Sequence, residues 1–317
     1  SNSVAIGSFA LQDQTFGTAT DAHNTAVGYS AGANITTGIS NTIVGALTGD
    51  ALTDADFNVA IGLGSLGADT KGSKSVAVGT AALQAQNFTT STDSFNTAVG
   101  HNAGNDVTTG RSNTLLGSTA GDALTDADRN VAVGTDSLGS DTLGSKSIAI
   151  GVGALFTQNF TTATDSHNVA VGDSAGLSIT TATQNTLIGG LSGDALVDGA
   201  ANTALGFETL TADTKGQNNV AIGHHALSEQ NFTTLTSSYN TAVGSQAGRS
   251  ITTGLENTIV GGLAGDALTD ADKNVVMGYQ ALTTDTKGSR SVAIGFESLK
   301  TQNFSTSTDS HNTAVGN

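Results

Sequence analysis

A glycine preceded by an aliphatic residue closes one short segment after another along this 317-residue chain. These glycines stand at positions 7, 28, 45, 62, 79, 100, 117, 134, 151, 172, 189, 206, 223, 244, 261, 278, 295 and 316. Their spacings run 21, 17, 17, 17 and then start again. Gly7, Gly79, Gly151, Gly223 and Gly295 therefore keep one phase without an insertion or deletion. A nested period of this kind constrains the fold more tightly than composition does, because each unit must pack on copies of itself. The blocks are 8–79, 80–151, 152–223 and 224–295, with a partial block at 296–317, and residues 1–317 read as a single repetitive segment. The chain starts and stops inside repeats, with no signal peptide at its start, so a piece of a longer fibre is expected.

The residues that end each rung, such as Asn24-Thr25-Ala26-Val27-Gly28, are rich in Val, Ile and Thr and alternate in size, which is the period of a strand. No segment sustains the apolar period of a helix, so long helices are not expected. The 41 glycines and the absence of proline suit short strands joined by tight turns. Each closing glycine is followed by a second short element whose third residue is small and whose fourth is Leu or Gly, as in Ala10-Leu11 and Ala31-Gly32. Two short strands per turn predict an all-β fold, a parallel β-roll or β-solenoid of 18 rungs.

Side-chain volume predicts which residues face inward. The central strand residue is usually Ala, but it becomes Ile43, Leu115, Leu187 or Ile259 where the flanking half-turns both carry Gly instead of Leu. Val276, between Gly265 and Leu282, is intermediate. A close-packed interior conserves volume in this way. Leu11, Leu66 and Leu83 are assigned to the interior with those four large central residues. Strand alternation then turns the neighbouring residues to the other face. These are Val4, Ile6, Thr25, Val27, Thr42, Val44, Val59, Ile61, Val76, Val78 and their equivalents. Such a ladder is more apolar surface than a lone chain leaves in water, and an identical chain is the simplest cover. A homotrimer interface is assigned there.

The balance of 27 acidic against 11 basic residues, a net charge of −16, argues against a phosphate backbone as partner, since such binding needs clustered cations. No apolar run approaches the roughly 20 residues that span a bilayer, so no membrane insertion is expected within this segment. With no cysteine there is no disulfide, thiolate metal site or thiol nucleophile. No phosphate loop opens a helix and no acid/base pair is set apart, so neither an enzyme nor a cofactor is expected.

Four further features recur. Asp50, Asp54 and Asp56 return as Asp122, Asp126 and Asp128 and as Asp266, Asp270 and Asp272, with Asp69, Asp141, Asp213 and Asp285 one rung on. Oxygen ligands in turns can hold Ca²⁺. The preferred reading is exposed corner caps, because the third block places Ala200 where the last carboxylate stood. The strand is preceded by Ser at 3, 75, 147 and 291 and by Asn in every other rung, which predicts a stacked ladder capping turn groups. Phe88, Phe160, Phe232 and Phe304 repeat in the long rung, as candidate surface contacts or as pins for their own loops. His23, His167 and His311 share a position with Phe95 and Tyr239, which predicts a packed planar side chain rather than a metal ligand, while His224 and His225 are expected in solvent.

Ser3-Val4-Ala5-Ile6-Gly7, Ser75-Val76-Ala77-Val78-Gly79 and Ser291-Val292-Ala293-Ile294-Gly295 closely resemble the head repeats of YadA-like trimeric autotransporter adhesins. The resemblance covers the whole chain. It implies a left-handed parallel β-roll, a trimer with the bulky residues along its axis, and an extracellular head that attaches to matrix, cells or other surfaces. It also implies a stalk and an outer-membrane anchor, neither of which lies in this segment. The rungs here are longer than the family's usual repeat, so their connecting loops are longer too. Bacteriophage tail fibres carry similar repeats, and a fibre shaft of a virion is the alternative. An ice-binding solenoid is a third reading, weakened because Thr25 and Thr42 alternate with Val59 and Val76 on the outward face.

Overall fold

A computed structural model describes residues 2–316 of the protein. Among them every regular element is a strand, and none is a helix. The chain forms two compact units, Ser1–Asp165 and Ser166–Asn317, each a parallel β-solenoid.

In the first unit the short strands Val4–Ile6, Thr25–Val27, Thr42–Val44, Val59–Ile61, Val76–Val78, Thr97–Val99, Thr114–Leu116, Val131–Val133 and Ile148–Ile150 pair in chain order. The second unit repeats this from Val169–Val171 to Thr313–Val315. Every pairing is parallel and in register, central residue beside central residue, as with Ala26 and Ile43. Still shorter strands join the fourth rung of a block to the long rung that follows, Gly72–Ser73 with Thr92–Asp93 and Gly144–Ser145 with Thr164–Asp165.

The closing glycines stack on one another. Gly28 has a φ of +139°, and a Cβ there would come within 2.3 Å of the Gly45 carbonyl oxygen one rung on. Any side chain would therefore push neighbouring rungs apart, which is why this position cannot drift.

The expected second strand of each turn is not a strand. The second and fourth residues after the closing glycine are left-handed, with φ +62° at Phe9 and +49° at Leu11, and an extended strand cannot contain them. This half-turn is a run of turns that still hydrogen-bonds from rung to rung. The Leu11 N–H donates to the Ala31 carbonyl at 3.1 Å, and that of Gly49 to the Ser65 carbonyl at 2.9 Å. A leucine in the left-handed region costs on the order of 1 kcal/mol, and burial of its side chain offsets that cost.

The interior is filled as the volume argument requires. Ile43, Leu66, Leu83, Leu115, Leu187 and Ile259 are fully buried and Leu11 nearly so. At Gly49, φ +51°, an added Cβ would stand 2.9 Å from Leu52 Cδ1 and 3.0 Å from Ile43 Cδ1. The large central side chain thus occupies the space that a leucine takes in other rungs.

The column three positions further on decides the chemistry of the interior. In rungs with glycine at the fourth position it is aliphatic, as at Ile35, Leu52, Val107 and Leu124, all fully buried. In rungs with leucine it is Asp or Gln, as at Asp69 and Gln86 or Asp141 and Gln158, also fully buried. Each block therefore alternates two apolar layers with two layers carrying a buried polar pair.

Candidate functional site

Two parts of this architecture present chemistry beyond packing: the buried polar nodes that hold the long rung, and the outward face of the strands.

At the first node Asp69 Oδ1 accepts the backbone N–H groups of Gly72 and Phe88, both at 3.0 Å. Its Oδ2 accepts from Gln86 Nε2 at 2.6 Å. Gln86 Nε2 also donates to Ser75 Oγ at 2.9 Å, and Gln86 Oε1 accepts from Asn96 Nδ2 at 2.8 Å. The Ser75 and Ser94 hydroxyls bond each other at 2.5 Å. The Asp–Gln pairing recurs with Asp141 and Gln158, Asp213 and Gln230, and Asp285 and Gln302. Burial raises the carboxyls of Asp69, Asp141 and Asp213 above the ordinary carboxylate range, and the amide and backbone donors pull them part of the way back. These aspartates are therefore neither exposed corner caps nor cation ligands. They anchor the extra residues of the long rung. The signal in the sequence was an Asp and a Gln at the same place in consecutive rungs, each following a leucine at a fixed offset.

The node also corrects the phenylalanines. Phe88, Phe160 and Phe232 are 5–6% exposed, so they are pins of their own loops and not surface contacts. Phe88 and Phe160 lie against the node beside Gly72 and Gly144. Phe304 is half-buried in the last partial rung. Ser75 accepts from the incoming glutamine at this node, while in the third block Asn219 stands at the equivalent place beside Gln230. Elsewhere the Asn ladder runs as expected. Asn41 Nδ2 donates to the Ala55 carbonyl at 2.8 Å, and Asn41 Oδ1 accepts the Asn58 N–H at 2.9 Å.

The aspartates weighed as Ca²⁺ ligands diverge. Asp54 faces Lys71 at 3.9 Å, Asp56 Oδ1 accepts the Ile39 N–H at 2.8 Å, and Asp50 sits half-buried against the neighbouring rung. Burial is what raises the Asp50, Asp122 and Asp194 carboxyls, with the charges of Asp106 and Asp136 adding to the effect at Asp122. Among the described residues no three His, Asp or Glu side chains converge as a metal site.

On the outward face of a single chain, Val4, Ile6, Thr42 and Ile61 are exposed, while Thr25, Val27, Val44, Val59, Val76 and Val78 are half-buried. Leu116, Ile150, Leu205, Val275 and Met277 continue the exposed series. The residue after the closing glycine extends it with Tyr29, Leu63, Val152, Phe207, Tyr279 and Phe296, all exposed. That column shows no strand alternation in the sequence, and its regular place directly after the closing glycine is its one signal there. Tyr279 stacks on Phe296 at 5.9 Å and Phe207 on His224 at the same separation. His224 is exposed as expected, whereas His225 is half-buried with Nδ1 3.1 Å from Glu208 Oε2.

The shared position of His23, Phe95, His167, Tyr239 and His311 is an exposed corner in the left-handed region, with Phe95 55% and Tyr239 58% exposed. A packed planar side chain was expected there. The backbone conformation, which turns the side chain outward ahead of the Asn that follows, explains the difference.

Among the described residues no helix is long and apolar enough to cross a membrane. No protein-family model, curated protein or solved structure matches the chain.

Proposed function

We propose that this chain is a non-enzymatic structural and adhesive segment of an extracellular fibre, working as a homotrimer of parallel solenoids. The outward strand face carries the reading. In each unit it is an in-register ladder of Val, Ile, Leu, Met and Thr side chains, with Val4, Ile6 and Leu116 in the first and Leu205 and Met277 in the second each more than two-fifths exposed on a single chain. Covering apolar surface stabilises by about 25 cal/mol per Å², and a regular ladder is matched best by another copy of itself. The resemblance of the strand motifs to adhesin heads supports the same assembly. Backbone ladders hold the rungs stiffly, while the long-rung loops return once in every block and offer equivalent weak contacts that add as avidity.

Sedimentation equilibrium or native mass measurement tests the assembly. A mass near three times the 31.3 kDa of one chain is expected. Val27→Asp combined with Val99→Asp should shift it toward the monomer, because unpaired carboxylates would then lie in the interface. A soluble, monomeric wild-type chain would sink the reading. For the adhesive role, beads coated with the segment should be retained on matrix- or cell-coated surfaces under flow. Retention no better than on uncoated glass would count against it.

A further inference from the structure

A hollow of about 200 Å³ opens at the corner of the second block, lined by Asp93, Phe95, Arg111, Ser112, Asp128 and Arg129. Its two arginines are exceptional in this molecule. Among the described residues, every lysine and arginine except Arg111, Arg129 and Lys273 stands within ion-pair distance of a carboxylate. Arg111 and Arg129 lie on consecutive rungs, the Arg129 N–H donating to the Arg111 carbonyl at 2.9 Å, and both residues are exposed.

The two carboxylates of the lining are already engaged. Asp93 pairs with Lys74 Nζ at 2.5 Å, and Asp128 Oδ1 accepts the Arg111 backbone N–H at 2.7 Å. With Lys74 included, three cations face two anions, which makes a locally positive spot on a chain of net charge −16. Beside it Phe95 presents an exposed ring, with Lys74 Nζ 5.3 Å from its centroid. The constellation breaks the repeat between blocks. Where block two has Arg111 and Arg129, the others have Ile39, Thr183 and Leu255 and Phe57, Ala201 and Lys273.

Paired guanidinium forks match the planar or tetrahedral oxygens of a carboxylate or sulfate. An exposed aromatic ring offers a flat apolar face to the C–H face of a sugar ring. The volume is below the roughly 300 Å³ at which drug-sized pockets begin, so it suits one ring at a time. We propose that this hollow binds a single acidic sugar unit of an anionic polysaccharide, its carboxylate or sulfate on Arg111 and Arg129 and its ring against Phe95. The proposal rests on one chain's geometry and is independent of the trimer and adhesion reading.

The test is titration of the full chain with three hexasaccharides, followed by NMR or calorimetry: hyaluronan for carboxylate, heparin for sulfate, and chitin for a neutral chain. Binding of hyaluronan, heparin or both is expected: hyaluronan binding shows that a carboxylate suffices, and heparin binding without hyaluronan assigns the sulfate. Arg111→Gln with Arg129→Gln should weaken binding by about tenfold or more, as loss of charge-assisted hydrogen bonds requires. Phe95→Ala should weaken it less, and Lys273→Gln should leave it unchanged. All these residues are exposed, and unchanged circular dichroism would confirm that the variants are folded. Absence of binding, equal binding of the neutral hexasaccharide, or equal loss from Lys273→Gln would overturn the proposal.

Discussion

At Gln86 two consecutive rungs are tied together: its amide donates to Asp69 and Ser75 of the rung before, and its carbonyl accepts from Asn96 of its own rung. Replacing it with leucine leaves a buried carboxylate oxygen and an amide hydrogen without partners. Gln86→Leu is therefore expected to cost about 1–3 kcal/mol in denaturant unfolding. The buried carboxyls also set a pH dependence. Because burial raises Asp69, Asp141 and Asp213 in the folded state, the proton-linked stability is fully present below the unfolded carboxyl value of 3.8. It is lost as pH rises through the folded value. Stability should fall over the mildly acidic range above pH ~4 and then level off. Converting all three to asparagine should flatten that part of the curve, with the half-buried Asp50, Asp122 and Asp194 supplying what slope remains. An unchanged slope in urea melts across that range would refute the assignment.

An element here is half a rung, and its energetics are those of a shared volume. Ile43 fills the space above Gly49, and Leu115 lies between Gly104 and Gly121, where added Cβ atoms would stand 2.6 Å and 2.8 Å from its methyl groups. Leu115→Ala should destabilise by about 2–5 kcal/mol, because rungs tied by backbone bonds on both sides cannot collapse into the cavity. Gly49→Ala overpacks the same kind of site. Combining it with Ile43→Val, which removes one of the two methyl groups in the way, should recover part of the loss. A coupling energy of roughly 1 kcal/mol is expected from the double-mutant cycle, and strict additivity would show that the two positions do not share a volume. The half-turn after the glycine carries a small third residue and Leu or Gly at the fourth, which predicts a second strand. That pattern is equally satisfied by a stacked turn, and only the left-handed backbone at residues such as Leu11 and Leu66 distinguishes them.

For the whole molecule the unit of exchange is the block, not the rung. Deleting 80–151 brings Gln158 to the place of Gln86 beside Asp69 and keeps the order of Leu and Gly layers. Deleting the single rung 63–79 removes Asp69 and sets Gln86 against Leu52, so a buried amide loses its acceptor. The one-rung deletion is therefore expected to melt lower than the whole-block deletion, although it removes less of the chain. Thermal melts followed by circular dichroism would decide this, and the reverse order would sink the register argument. Ion pairs that follow the same phase, Asp54 with Lys71, Asp198 with Lys215 and Asp270 with Lys287, add little energy each and favour this register over a slipped one.

The amino-acid sequence alone determined the parallel solenoid, its phase, the strand cores and the sorting of residues such as Ile43 inward and Val44 outward. These follow from side-chain volume and alternation, which repeat locally and can be counted along the chain. The tertiary structure decided the turn-like second half-rung, the burial of Phe88 and the union of Asp69 with Gln86. The contrast is clearest at Asp69 and Asp54, two aspartates at different offsets within their rungs. One is fully buried in a network and the other meets Lys71 near the surface. Asp69 stands three places after Leu66, in the inward column, and is met by Gln86 of the next rung, whereas Asp54 stands five places after Gly49 and is met by Lys71. The offset is written in the sequence, but the partner lies one rung on and only the stacking brings it there.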